Sequence, residues 1–337
     1  MPAPVIYGCA GASLSADERR FFADADPLGF ILFARNCQEP KQVADLVAAL
    51  RDSVGRKDAP VLIDQEGGRV ARLAQPHWRR PPAAGVIAKL HATDADAGLE
   101  AARLNARLIA HDLYSLGIDV NCTPVLDVPV ADAHSIIGDR AYGSVPEPVI
   151  ALARQVCDGM MQGGVASVIK HIPGHGRARA DSHVELPVVE ASYEQLSTTD
   201  FVPFRALAAM PWAMTAHVVY TALDATRPAT TSPEVIGTII RRDLGFGGAL
   251  MSDDLGMSAL SGGFADRARA ALAAGCDVAL HCSGRMEEMV EVQKGLSPMT
   301  SAAAQRVAQA RVPAPKPGFD AAAALDRLNA LLARSGS

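Results

Sequence analysis

The segment from Lys170 to His183 carries a dense set of side chains that could do chemistry. It reads KHIPGHGRARADSH and contains three histidines, one lysine, two arginines and one aspartate around two glycines and one proline. Residues of these types could bind a metal ion, hold a phosphate group or transfer a proton. Their spacing, and the elements on either side of them, must decide among the three chemistries.

A metal site is the first alternative, since His171 and His175 stand four residues apart. Two histidines at this spacing share a face only on a helix, and Pro173 and Gly174 between them predict a loop. The sequence has no H-E-x-x-H motif and no Cys/His cluster typical of zinc sites. The segment also lacks the glycine patterns of common phosphate-binding loops. We therefore predict neither a metal site nor a phosphate site here.

Carbohydrate chemistry is the third alternative. Glycoside hydrolysis needs one group that attacks or stabilises the anomeric carbon and a second that protonates the leaving oxygen. Asp253 in LMSDDLGM follows an apolar run and could be the first group. Asp254 is its rival, but neighbouring strand residues point to opposite faces, so only one of the two faces a sugar easily. His183 could move the proton, since the imidazole pKa lies near neutrality, and Asp181 could orient its ring.

Eight short apolar runs predict the strands that must position these groups. Each has the length of a strand buried on both faces, and helical patterns separate them at about 39–54, 95–116, 146–164 and 232–244. Such β-then-α units predict an α/β fold, a single (β/α)8 TIM-type barrel, with a doubly wound open sheet as the alternative. The predicted strands begin at Val5, Gly29, Ala59, Gly117, Val165, Trp212, Gly248 and Cys276. The sixth, WAMTAHVVY, is predicted to run to Tyr220.

We expect one catalytic barrel domain over residues 1–337. Residues 313–337 would form a Pro-rich joint and a C-terminal helix packed on the outside of the barrel. Polar residues gather directly after the third, fourth, fifth, sixth and seventh predicted strands. Because the carboxyl ends of parallel barrel strands meet on one face, this pattern predicts an active site there.

Composition narrows the function classes. The formal net charge of −5 gives no basic surface typical of nucleic-acid or membrane binding. The first residues show no signal-peptide pattern, and no apolar run is long enough to span a membrane. The six cysteines form no C-x-x-C pair and are predicted to be free, buried thiols. We expect a cytoplasmic monomer that acts on a small molecule.

Five motifs in this order resemble those of the bacterial β-N-acetylglucosaminidases (β-N-acetylhexosaminidases) of glycoside hydrolase family 3, cell-wall recycling type. They are LIDQEGGRVARL, IIGDRAYG, KHIPGHGRARADSHVELP, MTAHVVY and LMSDDLGM, and the resemblance runs from about Gly29 to Cys282. It implies a hydrolase that releases terminal N-acetylglucosamine from muropeptides (N-acetylglucosaminyl-anhydromuramyl peptides) in peptidoglycan recycling. It also implies retention of configuration through a covalent glycosyl-enzyme, with no metal or organic cofactor.

The resemblance also implies residue roles. Asp253 would be the nucleophile, and His183 the general acid/base paired with Asp181. His217 would lie at the edge of the site. The residues that would hold the sugar hydroxyls and the acetamido group are Asp64, Arg72, Arg140, Lys170 and His171.

Several alternatives remain open at this point. The chain could be a family 3 phosphorylase, a β-glycosidase of other specificity or an inactive sugar-binding barrel. Arg177 and Arg179 could favour an anionic leaving group or belong to a solvated loop. The Gly174–Gly176 segment could be a hinge for the loop that carries Asp181 and His183.

Overall fold

The computed structural model describes residues 1–182 and 185–334, and their strands form a closed parallel barrel. Around the barrel the strands follow the order β1, β10, β9, β7, β5, β4, β3, β2, and a separate two-stranded sheet pairs β6 with β8. The strands are β1 (Ala3–Gly8), β2 (Pro27–Leu32), β3 (Val61–Ile63), β4 (Val120–Asn121), β5 (Ala166–Ile172), β6 (Val188–Val189), β7 (Trp212–Thr215), β8 (Val219–Tyr220), β9 (Ala249–Asp254) and β10 (Val278–His281).

The predicted TIM-type barrel is confirmed, and each of the eight apolar runs overlaps one barrel strand. The sixth run was expected to continue as a strand to Tyr220, and this was wrong. The β7 ladder ends at Thr215, and Val219–Tyr220 instead pairs in parallel with β6 outside the barrel. The phenol of Tyr220 donates to the carbonyl oxygen of Gly174, which ties this side chain to the loop after β5.

Helices surround the barrel at the places where the sequence predicts them. The helix predicted at 232–244 is a π-helix over Val235–Asp243, and Ser232 Oγ accepts from the N–H of Val235 at its start. The α-helices are α1 (Ala16–Ala25), α2 (Pro40–Ser53), α3 (Ala84–Thr93), α4 (Ala95–Ser115), α5 (Pro146–Gln162), α6 (Tyr193–Thr198), α7 (Phe201–Ala206), α8 (Phe264–Ala274), α9 (Met286–Gly295), α10 (Ser301–Gln309) and α11 (Ala321–Ala333).

Two apolar layers hold the barrel together. Inside it, Leu62, Val168 and Met251 are among the side chains that fill the space between the strands. The outer layer lies between strands and helices, and α11 adds Leu328 and Leu331 to it while packing against α4. Filling the interior with apolar side chains makes the barrel a packed core, so chemistry is confined to its ends.

The described helices include none with the length and hydropathy needed to cross a membrane. All six cysteines are free, as predicted; five are buried, and Cys37 is half-buried.

Candidate active site

A cavity of about 280 Å³ opens at the C-terminal ends of the barrel strands, and we call it the upper cavity. One part of its wall is charged and another is apolar, a combination suited to a sugar ring with hydroxyls on its edge and C–H groups on its faces. The predicted site residues on this wall are Asp64, Arg72, Arg140, Lys170, His171 and Asp253. The apolar part includes Ile31, Phe33, Met214, Met257, Leu280 and Cys282.

Five charged side chains form an alternating chain along one side of the upper cavity. Arg72 Nη2 lies 3.3 Å from Asp64 Oδ2, and Lys170 Nζ lies 2.7 Å from Asp64 Oδ1. Lys170 Nζ also lies 2.7 Å from Glu66 Oε1. Arg140 then grips Glu66 with two hydrogen bonds of 2.9 and 2.8 Å. Every carboxylate in this chain is flanked by two cations, so each charge is compensated although little water reaches it.

The pKa values follow from this pairing. Burial alone would raise the pKa of Glu66, but Lys170 and Arg140 outweigh it and lower the pKa to about 2. The pKa of Asp64 is also well below its usual range, because Lys170 and Arg72 outweigh its burial. Burial alone would lower the pKa of Lys170, yet its two carboxylate neighbours raise it. All three groups therefore stay charged at neutral pH and can act as donors or acceptors for sugar hydroxyls.

A tight turn after β3 positions the first part of this chain. Gly67 and Gly68 have φ values of 112° and 58°, a region in which a side chain is strained. A Cβ at Gly67 would lie 2.2 Å from the carbonyl oxygen of Pro82. Gln65 Oε1 accepts from the backbone N–H of Arg72 at 2.7 Å, which ties the far side of the turn to its start. The glycine pair therefore allows the backbone to turn sharply at the edge of the site.

Arg72 presents an unused donor at the cavity wall. Its guanidinium carbon lies 5.2 Å from the ring centroid of Phe33. Its Nε is buried and has no hydrogen-bond partner among the described residues. A buried donor without a partner is costly, so the hydrogen-bonding capacity of Arg72 is not fully used among the described residues.

Asp253 lies near the end of β9, at the wall of the upper cavity. Its Oδ1 accepts from the backbone N–H of Asp254 at 2.8 Å. Burial would raise the pKa of Asp253, but His217, His171 and this N–H outweigh it, so the pKa lies below its ordinary value. The carboxylate is therefore ionised and held in position, which a nucleophile at an electrophilic carbon requires.

Asp254 is occupied differently from its neighbour. Its Oδ1 accepts from the backbone N–H groups of Gly256 and Cys282, both at 3.0 Å. Although Asp254 also borders the upper cavity, these bonds use its carboxylate to brace the loop after β9 and the end of β10. The contrast supports Asp253 over Asp254 as the reacting group.

His217 lies behind the cavity wall. Its imidazole is fully buried, with Nδ1 2.7 Å from Thr230 Oγ1 and Nε2 3.0 Å from the carbonyl oxygen of Asp254. Desolvation lowers the pKa of this ring below its ordinary value. The structure therefore places His217 against the backbone of the Asp253–Asp254 pair and not on the lining of the upper cavity.

Asp127 links two histidines of the loop after β5. Its carboxylate lies 2.7 Å from His171 Nδ1 and accepts from the backbone N–H of His175 at 2.7 Å. The centroids of the two imidazole rings lie 5.7 Å apart. The rings are therefore neighbours, although Pro173 and Gly174 prevent a helix between them. In the described part of the chain, no group of three or more His, Cys, Asp or Glu side chains is arranged to hold a metal ion.

The next loop residues are tied down by ion pairs. Arg177 Nε donates to Asp200 Oδ2 at 2.6 Å, and Arg179 pairs with Asp132. Neither arginine is left as a free cation, which weakens the expectation that the two attract an anionic leaving group. Asp181 is half-buried, and His183 lies outside the described residues.

Two residues that belong to this site were missed from the sequence. Glu66 stands between Lys170 and Arg140, and Asp127 orients His171. Glu66 lies in the same DQEGG stretch as Asp64, so that motif was the available signal. Asp127 follows the fourth strand in TPVLDV, where the polar residues indicated the active-site face of the barrel but no role for this carboxylate.

A closed parallel barrel with ionised side chains at the C-terminal strand ends is the architecture of TIM-barrel enzymes. The family description "Glycosyl hydrolase family 3 N terminal domain" matches residues 10–312, and the chain belongs to this family.

Relatives of known sequence and structure agree with this assignment. A beta-hexosaminidase of Alkalilimnicola ehrlichii is 42% identical over 284 residues, 83% of this chain and 80% of the relative. A beta-hexosaminidase of Methylococcus capsulatus is 41% identical over 282 residues, 82% of each chain. The crystal structure of native NagZ from Neisseria gonorrhoeae superposes with a TM-score of 0.86 at 34% identity, covering 99% of this chain and 97% of that one. The same protein has been crystallised with N-trifluoroacetyl-D-glucosamine, with the same TM-score, identity and coverage.

Proposed function

We propose that the protein is a retaining exo-β-N-acetylglucosaminidase. In this proposal Asp253 is the nucleophile, and His183 with Asp181 forms the acid/base pair. The sugar is held by Asp64, Arg72, Arg140, Lys170 and His171, and His217 supports the site from behind.

The observation that carries this proposal is the position of Asp253. It is an ionised carboxylate at a strand end, on the wall of a cavity whose other side carries the charged chain from Arg72 to Arg140. The hexosaminidase relatives support N-acetylated sugars as the substrate class, because they share about 40% of their residues with this chain. The N-trifluoroacetyl-D-glucosamine complex of the Neisseria protein points to the same class of ligand.

The first step breaks the glycosidic bond. An Asp253 oxygen attacks the anomeric carbon and forms an ester, while His183 donates a proton to the leaving oxygen as the bond between that oxygen and the anomeric carbon breaks. In the second step His183 takes a proton from water, and the water oxygen replaces Asp253 at the anomeric carbon. Two inversions give net retention and return both side chains to their starting protonation states.

The charged chain performs two tasks in this proposal. Lys170 and Arg72 donate to sugar oxygens, and Asp64 accepts from hydroxyls. Glu66, which is paired with Arg140, holds Lys170 in position, and Lys170 in turn pairs with Asp64, so the geometry exists before the sugar binds.

The resemblance of the motifs to cell-wall recycling enzymes supports muropeptides as the physiological substrate. We propose that the enzyme acts as a monomer in the cytoplasm on N-acetylglucosaminyl-anhydromuramyl peptides. Turnover of these compounds, compared with chito-oligosaccharides of equal length, tests the substrate, and cell fractionation tests the compartment.

A fluorinated N-acetylglucosaminyl donor tests the covalent mechanism. The fluorine slows the second step, so we expect the sugar to stay bound to Asp253, and peptide mass spectrometry locates it. A label on Asp254, or inactivation without any adduct, would refute the assignment. Proton NMR of the first-formed product must show the β-anomer.

The same reaction separates hydrolysis from phosphorolysis. We expect free N-acetylglucosamine with and without inorganic phosphate. Formation of a sugar phosphate only when phosphate is present would instead identify a phosphorylase. An absence of any turnover with intact binding would identify a sugar-binding barrel.

A further inference from the structure

His175 is a buried histidine of the loop after β5 to which no role has yet been given. Its Nε2 lies 3.3 Å from Ser182 Oγ, and its Nδ1 has no hydrogen-bond partner among the described residues. Burial of a polar ring is unfavourable unless its nitrogen atoms are hydrogen-bonded. The contact with Ser182 is the one hydrogen bond of this ring that the described residues show.

The backbone around His175 is held firmly. Its N–H donates to Asp127 at 2.7 Å, and its carbonyl oxygen accepts from the N–H of Ala178 at 3.1 Å. Tyr220 donates to the carbonyl oxygen of Gly174 at 2.7 Å. A Cβ at Gly176 would lie 2.0 Å from the carbonyl oxygen of Val128, so this segment is packed against its neighbour. These contacts hold the backbone that carries the imidazole in place, and they argue against a hinge at Gly174–Gly176.

Ser182 is held from two sides. Its hydroxyl faces His175, and its carbonyl oxygen accepts from the N–H of Ala259 at 3.2 Å. Ala259 belongs to the loop after β9, the strand that ends in Asp253 and Asp254. Ser182 therefore joins the loop after β5 to the loop that follows the proposed nucleophile.

We propose that His175 is a positioning residue: its imidazole holds the Ser182 hydroxyl and thereby fixes Asp181 and Ser182 relative to the upper cavity. The inference rests on the proposed function, in which Asp181 and the residue after Ser182 transfer the proton. His175 itself does not touch the substrate.

The electrostatic state of the ring agrees with this role. Desolvation, with His171 as a further cause, lowers the pKa of His175 to about 4. The ring is therefore neutral at physiological pH, and Nε2 can accept the hydroxyl proton of Ser182 while Nδ1 carries the ring proton. A neutral ring also places no extra positive charge beside His171.

The test compares aglycones that differ in their need for a proton. The 2,4-dinitrophenyl N-acetyl-β-glucosaminide has a good leaving group, and the 4-methoxyphenyl compound has a poor one. For Ser182→Ala and His175→Ala we expect kcat/KM to fall about tenfold on the poor leaving group and less than about twofold on the good one. His175→Gln keeps a polar group near the Nε2 position, so it should recover most of the kcat/KM that His175→Ala loses on the poor leaving group.

Matched controls separate positioning from loss of stability. Thr300→Ala removes another side-chain hydrogen bond, to the N–H of Ala303 at the start of α10, and should affect both substrates equally. Thermal unfolding of each variant shows whether it folds. If His175→Ala does not fold, Ser182→Ala carries the test alone.

Two results would overturn the inference: equal losses on both substrates, or no loss in Ser182→Ala. His183→Ala distinguishes this failure from failure of the proposed function. If His183→Ala shows the leaving-group dependence and Ser182→Ala does not, only the positioning role is wrong. If His183→Ala shows no such dependence, the acid/base assignment is wrong.

Discussion

The barrel encloses a second cavity at its N-terminal end, which we call the lower cavity. It measures about 440 Å³ against about 280 Å³ for the upper cavity, and Leu28, Ala166, Trp212 and Val307 are among its lining residues. The same strands line both ends, so the backbone does not distinguish them. The difference lies in what the side chains do.

Charged residues at the lower end are used to hold the barrel together. Asp119 accepts from the backbone N–H of Val61 at 2.8 Å and pairs with Arg51 at 3.1 Å. Arg56 binds the carboxylate of Asp26. At the upper end, by contrast, the Nε of Arg72 is unpartnered among the described residues, and Asp253 faces open space. The comparison teaches that the two ends differ in how their charged groups are used, and that cavity volume does not reveal this difference.

Among the substitutions that test this difference between the two ends, removal of the Asp253 carboxylate should have the largest effect on activity. We expect Asp253→Ala to lower kcat for 4-nitrophenyl N-acetyl-β-glucosaminide at least about 1,000-fold, because the proposed covalent intermediate forms on its carboxylate. Asp254→Asn is the matched control and should lose much less, because its carboxylate braces backbone. Unchanged turnover by Asp253→Ala would show that the upper cavity is not the catalytic site.

Breaking the charged chain is expected to cost stability as well as binding. Glu66→Gln leaves the buried guanidinium of Arg140 without its carboxylate partner and leaves Lys170 paired with Asp64 alone. We expect a loss of about 3 kcal/mol in the free energy of unfolding. Urea denaturation measures it, and the substrate KM should rise. The exposed pair of Asp17 and Arg20 supplies the control, since Asp17→Asn should cost about 0.5 kcal/mol or less. Equal losses of unfolding free energy in the two variants would mean that the charged chain from Arg72 to Arg140 is not effectively buried.

Acid should lower the free energy of unfolding through two buried groups near the upper cavity, His175 and Glu66. The pKa of His175 is about 4 in the folded protein and 6.5 for a free side chain, so the unfolded chain takes up the proton first as pH falls. Stability present above about pH 6.5 is therefore lost between pH 6.5 and 4, by at most about 3 kcal/mol. Glu66, with a folded pKa of about 2 against 4.5, adds a further loss below about pH 4.5.

Urea midpoints between pH 7 and pH 3 measure both losses. The variant His175→Gln cannot titrate at this position and should show a flatter profile between pH 6.5 and 4. A wild-type protein that gains stability over this interval would contradict the buried, neutral state of His175.

The smallest effects are expected from filling each cavity with a leucine. Cys282→Leu places extra carbon atoms in the upper cavity and should lower kcat/KM about tenfold by excluding the sugar. Ala304→Leu fills the lower cavity and should leave kcat/KM within about twofold, with a stability gain of up to about 1 kcal/mol. Loss of activity in Ala304→Leu without loss of stability would mean that the two ends are coupled.

Much of the fold was predictable because its signals are local. A strand buried on both faces must be apolar along its length, so the eight runs identify the barrel strands without knowledge of their partners. The end of β7 was not predictable, because Val219–Tyr220 is as apolar as a barrel strand and only its pairing with β6 removes it from the barrel. The placement of Lys170, His171 and Asp253 at strand ends was equally local.

The partners of these residues could not be predicted in the same way. Glu66 and Arg140 are 74 residues apart, and Asp127 and His171 are 44 apart, so their contacts depend on how the loops fold over the barrel mouth. The hinge hypothesis at Gly174–Gly176 relied on glycine as a sign of freedom. In the structure these glycines allow close packing, because a Cβ would meet the backbone of Val128 or the side chain of Asp200.

By itself the sequence determined the barrel, the end at which the chemistry lies and the residue types that perform it. These follow from apolar patterning and from the cost of placing charges in a core, and both are written along the chain. Only the tertiary structure decided which charges neutralise one another, which buried donor has no partner among the described residues, and that His217 and His175 lie outside the lining of the upper cavity. Those outcomes depend on distances between side chains that are remote in sequence, and distance sets the strength of every ion pair and hydrogen bond.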